Sequence, residues 1–164
     1  MSGEGILYEH CLRALRRAAR TGENGLPLMG TGDWNDGMDE LGAKGRGESV
    51  WLGWFLLSVI SEFIPVARMR KDENTVNELM EFAAKLRAAV ERAWDGRWYL
   101  RAINDDGQKI GSNQSDECRI DVISQAWAVI SGMGDAQRQQ TAVRSVMDLL
   151  VEQGAGIVLS LIHI

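Results

Sequence analysis

The segment of this sequence best suited to chemistry lies at residues 30–38 and reads GTGDWNDGM. It places two carboxylates, Asp33 and Asp36, on either side of a tryptophan and an amide, in a stretch that its glycines allow to turn tightly. A carboxyl acts as a general acid when an apolar wall or a neighbouring charge raises its pKa. Trp34 and Asp33 could supply those two effects, so the pattern makes Asp36 a candidate acid.

The same segment has two other interpretations. In the first, the Asp and Asn side chains bond nearby backbone amides as an Asx-turn loop, while Trp34 fills the core. In the second, the acidic residues bind calcium, but the spacing of an EF-hand loop is absent. We expect no metal site, and the residues alone leave the catalytic and the loop interpretations open.

The surrounding chain predicts helices joined by glycine-rich, acidic loops. Helical periodicity and capping residues predict five helices: residues 6–20, 49–69, from a cap at Asp72 or Asn74 to Trp94, 120–131 and 136–152. Pro65 is expected to kink or end the second helix, and the residues Asn-Asp-Asp-Gly at 104–107 predict a hairpin turn. Residues 26–47 show no period, and a loop of that length is usually functional or disordered. This pattern is typical of helical hairpins arrayed in a solenoid or toroid.

Composition excludes some classes of protein. The chain has 164 residues and a formal net charge of -5, which argues against a nucleic-acid binder that neutralises phosphates. No apolar run approaches the ~20 residues that a membrane span needs, and the N-terminus lacks the order of a secretory signal. Two cysteines fit a reducing compartment. We therefore expect a soluble chain in the cytoplasm.

Five stretches of the sequence resemble glycoside hydrolase family 94. Its members are inverting phosphorylases of cellobiose, chitobiose and related β-glucosides, and phosphorylase-like domains of cyclic glucan synthases. The resemblance rests on GLPLMGTGDWNDGM at residues 25–38, GRGESVWLGWF at 45–55, YEHCLRA at 8–14, SDECRID at 115–121 and QAWAVISG at 125–132. It implies an all-α fold, here a partial (α/α)6 barrel with one minor β-hairpin over residues 1–159, followed by a non-matching tail at 160–164 that we interpret as a truncation.

The resemblance also implies roles for the residues of the motif. Asp36 corresponds to the general acid of the family and Trp34 to the tryptophan that lines the donor-sugar subsite. Asp33 and Asn35 would support the site. Their alternative role is purely structural, to stabilise the loop through hydrogen bonds. Among the six tryptophans, Trp34 is thus assigned to sugar contact, whereas those at 51, 54 and 127 are expected to pack between helices.

The implied chemistry needs only one catalytic carboxylate. Inorganic phosphate, the co-substrate, is already an anionic nucleophile, so no base is required and no cofactor is implied. Asp36 would protonate the glycosidic oxygen while phosphate attacks the anomeric carbon from the opposite face, which releases α-glucose 1-phosphate. In the reverse direction the same carboxylate would deprotonate the acceptor hydroxyl.

Three further residues are candidates for substrate binding. Arg46 and Glu48 could bond sugar hydroxyls, with a local ion pair at a helix start as the alternative. Gln125 opens a helix after an acidic loop and is expected near the cleft rim.

Two other functions remain open. An inverting hydrolase on the same barrel would need a second carboxylate about 6.5–9.5 Å from Asp36, for which Asp116, Glu117 and Asp121 are the candidates. The first two otherwise belong to a solvated loop with an internal ion pair to Arg119. A non-catalytic carbohydrate-binding helical module is the third possibility.

The expected partners are a β-glucan oligosaccharide, with β-1,2 linkages favoured, and phosphate. No nucleic acid and no membrane contact from this segment are expected, and the full-length protein is expected to form a homodimer. In a glucan synthase the domain would lie on the cytoplasmic face of the inner membrane. The family's donor-binding Arg-Asp pair would precede Met1 and its phosphate-binding residues would follow the chain, so we expect the isolated chain to be inactive.

Overall fold

A computed structural model describes residues 5–33 and 36–160, with the backbone but not the side chain of Asp36. Within these residues the fold consists of five α-helices: α1 (Leu7–Ala18), α2 (Val50–Met69), α3 (Glu73–Arg92), α4 (Val122–Ser131) and α5 (Ala136–Leu149). The short strands β1 (Glu48–Ser49), β2 (Ala102–Ile103) and β3 (Lys109–Ile110) form an antiparallel sheet, and β4 (Val151–Glu152) pairs with β5 (Ile157–Val158). The predominance of helix confirms the helical class, and the partial (α/α)6 barrel stays a prediction. The β4–β5 pair is a second hairpin, where the sequence predicted one.

Side-chain caps begin four of the helices. Ser49, Asp72, Asp121 and Asp135 each accept a hydrogen bond from a backbone N–H in the first turn of α2, α3, α4 and α5 respectively. Such caps satisfy N–H groups that have no partner within the helix. The observed helix starts lie within two residues of the predicted ones, and Asp72, not Asn74, is the cap of α3. The hairpin predicted around residues 104–107 is also present, between β2 and β3.

Helix α2 is the centre of the core and packs against α3 and α4. Trp54 is fully buried on it, with its ring edge-on to Tyr99 at a centroid distance of 5.1 Å. Trp51 is buried as well, and the partly buried Trp127 packs against Phe55 at 4.9 Å. The expectation that these three tryptophans fill the space between helices is confirmed.

The length and composition of α2 correct one expectation. Its 20 residues are apolar enough to cross a membrane by those two criteria alone. The core helix of a globular protein passes the same test, and eight residues of α2 are buried in this core.

α2 ends at Met69 as predicted and is not ended by Pro65, whereas the predicted end of α5 was wrong. α2 continues through Pro65 to Met69, because the exposed proline lies one turn before the end and removes only a single backbone hydrogen bond there. α5 ends at Leu149 instead of Glu152, because the buried Leu150 starts the turn into the β4–β5 hairpin.

The crossing of α2 and α3 generates a prediction about stability. A Cβ atom added at Gly53 would overlap Cγ1 of the fully buried Val90. We expect Gly53→Ala to lower the free energy of unfolding by about 1–3 kcal/mol, as overpacking does, measured by urea denaturation. The control is Gly154→Ala, where the added Cβ would meet only the flexible Glu152 carboxylate at 3.3 Å. An equal decrease in the free energy of unfolding in both variants would contradict close packing of α2 against α3 at Gly53.

Candidate active site

The candidate acid lies in the connection between α1 and α2, in a segment that we call the motif loop (residues 30–47). Gly30 opens it with a φ of +60°, a left-handed conformation that favours glycine. A 3-10 helix follows at Asp36–Gly42. Trp34, Asn35 and the side chain of Asp36 lie outside the described residues, so the roles assigned to them stay predictions.

A buried ion pair holds the start of the motif loop. Oδ2 of Asp33 accepts a hydrogen bond from Nη1 of Arg101 at 2.8 Å, and Oδ1 accepts one from the indole N–H of Trp51. The side chains of Asp33 and Arg101 are both 0% exposed. Asp33 therefore anchors the loop to the protein interior, which corresponds to its alternative role of stabilising the loop.

The same guanidinium reaches a second carboxylate. Nε of Arg101 lies 2.7 Å from Oδ2 of Asp121, whose other oxygen accepts the N–H of Ile123 at the start of α4. Burial raises the pKa of Asp121, against the opposing attraction of Arg101. Nη2 of Arg101 is buried and has no hydrogen-bond partner among the described residues. Two carboxylates thus share one guanidinium in a place that excludes water.

Asp105, at the turn between β2 and β3, holds the other end of the motif loop. Its carboxylate accepts three backbone N–H groups, from Lys44 at 2.6 Å, Arg46 at 2.7 Å and Gly47 at 2.8 Å. Its own N–H donates to the carbonyl of Leu41 at 2.8 Å. Burial raises the pKa of Asp105, but the three donors outweigh it and hold that pKa below its ordinary value. No pattern in the sequence indicated these bonds, since residues 104–107 predicted only a turn.

The structure places Arg46 and Glu48 in different environments. Glu48 is 2% exposed, and its carboxylate accepts hydrogen bonds from the backbone N–H of Leu26 at 2.9 Å and from the side-chain amide of Asn24 at 2.5 Å. Arg46 is exposed, with Nη2 3.6 Å from Asp106. The helix-start ion pair between Arg46 and Glu48 is not found among the described residues. Glu48 secures the turn at residues 22–26, and a sugar contact from either residue stays a prediction.

Gln125 does not lie at a cleft rim as expected, because it is 1% exposed. Its Oε1 accepts the N–H of Tyr99 at 2.9 Å, while Nε2 donates to the carbonyls of Tyr99 and Asp121 at 2.8 and 3.0 Å. The amide thus joins α4 to the segment before β2. A direct substrate contact would require Gln125 to leave these bonds.

The carboxylates considered for a hydrolase are placed differently from one another. Asp116 and Glu117 are exposed, and the predicted ion pair to Arg119 is not seen in the part of the chain that the structure describes. Asp121 is buried, with both oxygens engaged as described above. Across residues 5–33 and 36–160, no three His, Cys, Asp or Glu residues form a group that could hold a metal ion.

Comparisons with known proteins agree with the motifs. A family model described as "Glycosyl hydrolase 94 superfamily, catalytic domain" matches residues 1–162. The chain is 49% identical to cyclic beta-(1,2)-glucan synthase NdvB of Rhizobium meliloti (strain 1021) over 150 residues, which cover 90% of this chain and 5% of that protein. It is 40% identical to solabiose phosphorylase of Paenibacillus borealis over 147 residues, covering 88% of this chain and 19% of that protein.

A third relative is more distant. N,N'-diacetylchitobiose phosphorylase of Vibrio proteolyticus is 34% identical over 148 residues, which cover 88% of this chain and 18% of that protein. The chain therefore spans less than one fifth of the length of each of these three relatives.

The bonds of Asp105 predict a pH-dependent contribution to stability. Because its pKa in the folded chain lies below the reference value of 3.8, the carboxylate stabilises the fold above that value, and this contribution is lost as the pH falls through the folded pKa. We expect Asp105→Asn to lower the thermal unfolding midpoint near neutral pH, and the difference between the two proteins to shrink as the pH falls below 3.8 and through the folded pKa. The thermal unfolding midpoints of both proteins are measured by circular dichroism at several pH values.

The matched control is Asp106→Asn, which removes the neighbouring exposed carboxylate and its ion pairs to Lys44 and Arg46. Exposed ion pairs contribute little, so the midpoint should change less than with Asp105→Asn. A difference between parent and Asp105→Asn that does not depend on pH would contradict the assignment.

Proposed function

The chain belongs to the glycosyl hydrolase 94 superfamily, whose catalytic-domain model matches residues 1–162, and on that basis we propose that it forms part of an enzyme that cleaves β-glucosidic bonds with inorganic phosphate. The match over nearly the whole chain carries this proposal. Relatives named as phosphorylases of solabiose and of N,N'-diacetylchitobiose support it.

In the proposed reaction, Asp36 is the general acid. Its carboxyl donates a proton to the glycosidic oxygen while phosphate attacks the anomeric carbon from the opposite face. The bond between the anomeric carbon and the glycosidic oxygen breaks, the proton stays on the leaving sugar, and α-glucose 1-phosphate forms with inversion. Trp34 covers the apolar face of the donor sugar. Phosphate serves as co-substrate, and no cofactor takes part.

The geometry of the motif loop supports this assignment. Asp33 is fixed by Arg101 and Trp51 three residues before Asp36, and the buried Met38 packs two residues after it. Catalytic groups act well when rigid surroundings hold them in one direction. An acid carried on a loop with anchors on both sides meets that requirement.

The proposal extends to substrate, partners and location. A β-1,2-glucan is the proposed substrate, since the relative with 49% identity is named as a cyclic beta-(1,2)-glucan synthase. The chain would contribute to an (α/α)6 barrel in a homodimeric enzyme in the cytoplasm or, within a synthase, on the cytoplasmic face of the inner membrane. Among the described residues of the motif loop, Arg46 is a proposed sugar contact whose side chain is exposed to solvent.

The decisive experiment removes the proposed acid. We expect Asp36→Asn to lower kcat for phosphorolysis of a β-1,2-glucan oligomer by about 10²–10⁴-fold, the usual contribution of a general acid. Glucose 1-phosphate release is measured with and without phosphate, in a protein that carries this chain within a full-length family catalytic domain. Asp39→Asn is the matched control, because Asp39 is an exposed carboxylate in the same 3-10 helix.

Three outcomes would contradict the proposal. Turnover in water without phosphate would indicate a hydrolase, for which the exposed Asp116 and Glu117 would be the bases to test. Binding of the glucan without any turnover would indicate a carbohydrate-binding module. Equal activity of Asp36→Asn and the parent would exclude Asp36 as the acid.

A further inference from the structure

The β-hairpin that begins at Arg101 contacts the motif loop on both sides of Asp36 along the chain. Before Asp36, Nη1 of Arg101 donates to Asp33 at 2.8 Å. After it, Met38 packs against β2 in a small buried cluster, and the Asp105 carboxylate accepts three backbone N–H groups at the end of the loop. Arg101 and Asp105 are four residues apart, so a single short element fixes both ends of the segment that carries the acid.

Arg101 is itself held by three neighbouring elements. Its backbone N–H donates to the carbonyl of Ile110 at 2.8 Å, and its carbonyl accepts the N–H of Val50 at 3.2 Å. Nη1 also donates to Oγ of Ser49 at 3.3 Å, and Nε forms the ion pair with Asp121 at 2.7 Å. The guanidinium is therefore a fixed point relative to β3 and to the starts of α2 and α4.

Stability alone is a weak explanation for this arrangement. Asp33 and Asp121 supply two carboxylates to one dehydrated guanidinium, and Nη2 of Arg101 has no hydrogen-bond partner among the described residues. Buried ion pairs with incomplete hydrogen bonding are often replaceable by apolar residues without loss of stability. What the pair does supply is one defined position for Asp33, three residues before Asp36.

We propose that Arg101 is a positioning residue that fixes the direction of the Asp36 carboxyl through Asp33, with Asp105 holding the other end of the motif loop. The inference rests on the proposed function, in which Asp36 is the acid. A misplacement of about 1 Å at a reacting group lowers a rate by about 10²-fold. The step affected is proton donation to the leaving oxygen, not binding of the sugar.

The test separates proton donation from general disruption by changing the leaving group. Arg101→Met and Arg101→Lys are compared in the full-length protein on two substrates with phosphate: a β-1,2-glucan oligomer, and a 2,4-dinitrophenyl β-glucoside whose phenolate leaves without a proton. We expect Arg101→Met to lower kcat on the oligomer by about 10–10²-fold with KM nearly unchanged. The loss on the aryl glucoside should be several-fold smaller, and Arg101→Lys should restore part of kcat by keeping the charge.

Two control variants are measured on the same two substrates. Asp36→Asn should show the same selective loss on the oligomer, because it removes the proton donor itself. Arg16→Met removes an exposed ion pair between α1 and α3, to Glu78 at 2.6 Å and outside the motif loop, and should leave both activities unchanged. An equal loss on both substrates in Arg101→Met, or an unchanged kcat on the oligomer, would overturn the proposal.

If Arg101→Met fails to fold, Asp105→Asn provides the same comparison, because its amide keeps one acceptor oxygen. A selective loss on the oligomer supports the proposal and an unchanged kcat overturns it. Hydrogen exchange of backbone amides 36–47 gives a readout that does not depend on activity. Faster exchange of these amides, with exchange in α3 unchanged, supports the inference that the hairpin restrains the motif loop. Unchanged exchange of amides 36–47 overturns that inference. A parent protein without phosphate-dependent cleavage would contradict the proposed function, and the exchange measurement would still test the hairpin.

Discussion

The structure around the candidate site depends on the contact between one buried guanidinium and two buried carboxylates. Arg101 connects the motif loop through Asp33, the start of α4 through Asp121 and the start of α2 through Ser49. Separating a buried ion pair leaves an uncompensated charge in the protein interior, which is strongly destabilising. Conformations in which these segments move apart are therefore disfavoured. Three segments that are distant in sequence therefore share a single geometry.

This contact changes the electrostatic picture that the motif suggests. Two acids three residues apart predict that the charge of Asp33 raises the pKa of Asp36. In the folded chain Asp33 is paired with Arg101 and accepts a hydrogen bond from the Trp51 indole, so its charge is partly offset by a guanidinium that it shares with Asp121.

The parts of the fold that depend on local sequence could be predicted. Ser49, Asp121 and Asp135 cap helices through bonds to residues two or three positions away, and such patterns are visible in the sequence. Arg101 and Asp33 are 68 positions apart, and Asp105 reaches the motif loop across about as many residues. The hydrophobic periodicity of a sequence does not reveal contacts over such separations. The importance of the motif came from family resemblance, whereas its anchoring became visible only in three dimensions.

The hairpin between β2 and β3 also limits how this loop can be exchanged among relatives. A motif loop transplanted alone would arrive without the arginine and the aspartate that hold its two ends, even if every residue of its own were retained. Recombination between family members should therefore succeed when residues 30–49 and 101–110 come from the same parent. The two segments form one module that is discontinuous in sequence, and this module, not the motif, is the natural unit for redesign of the site.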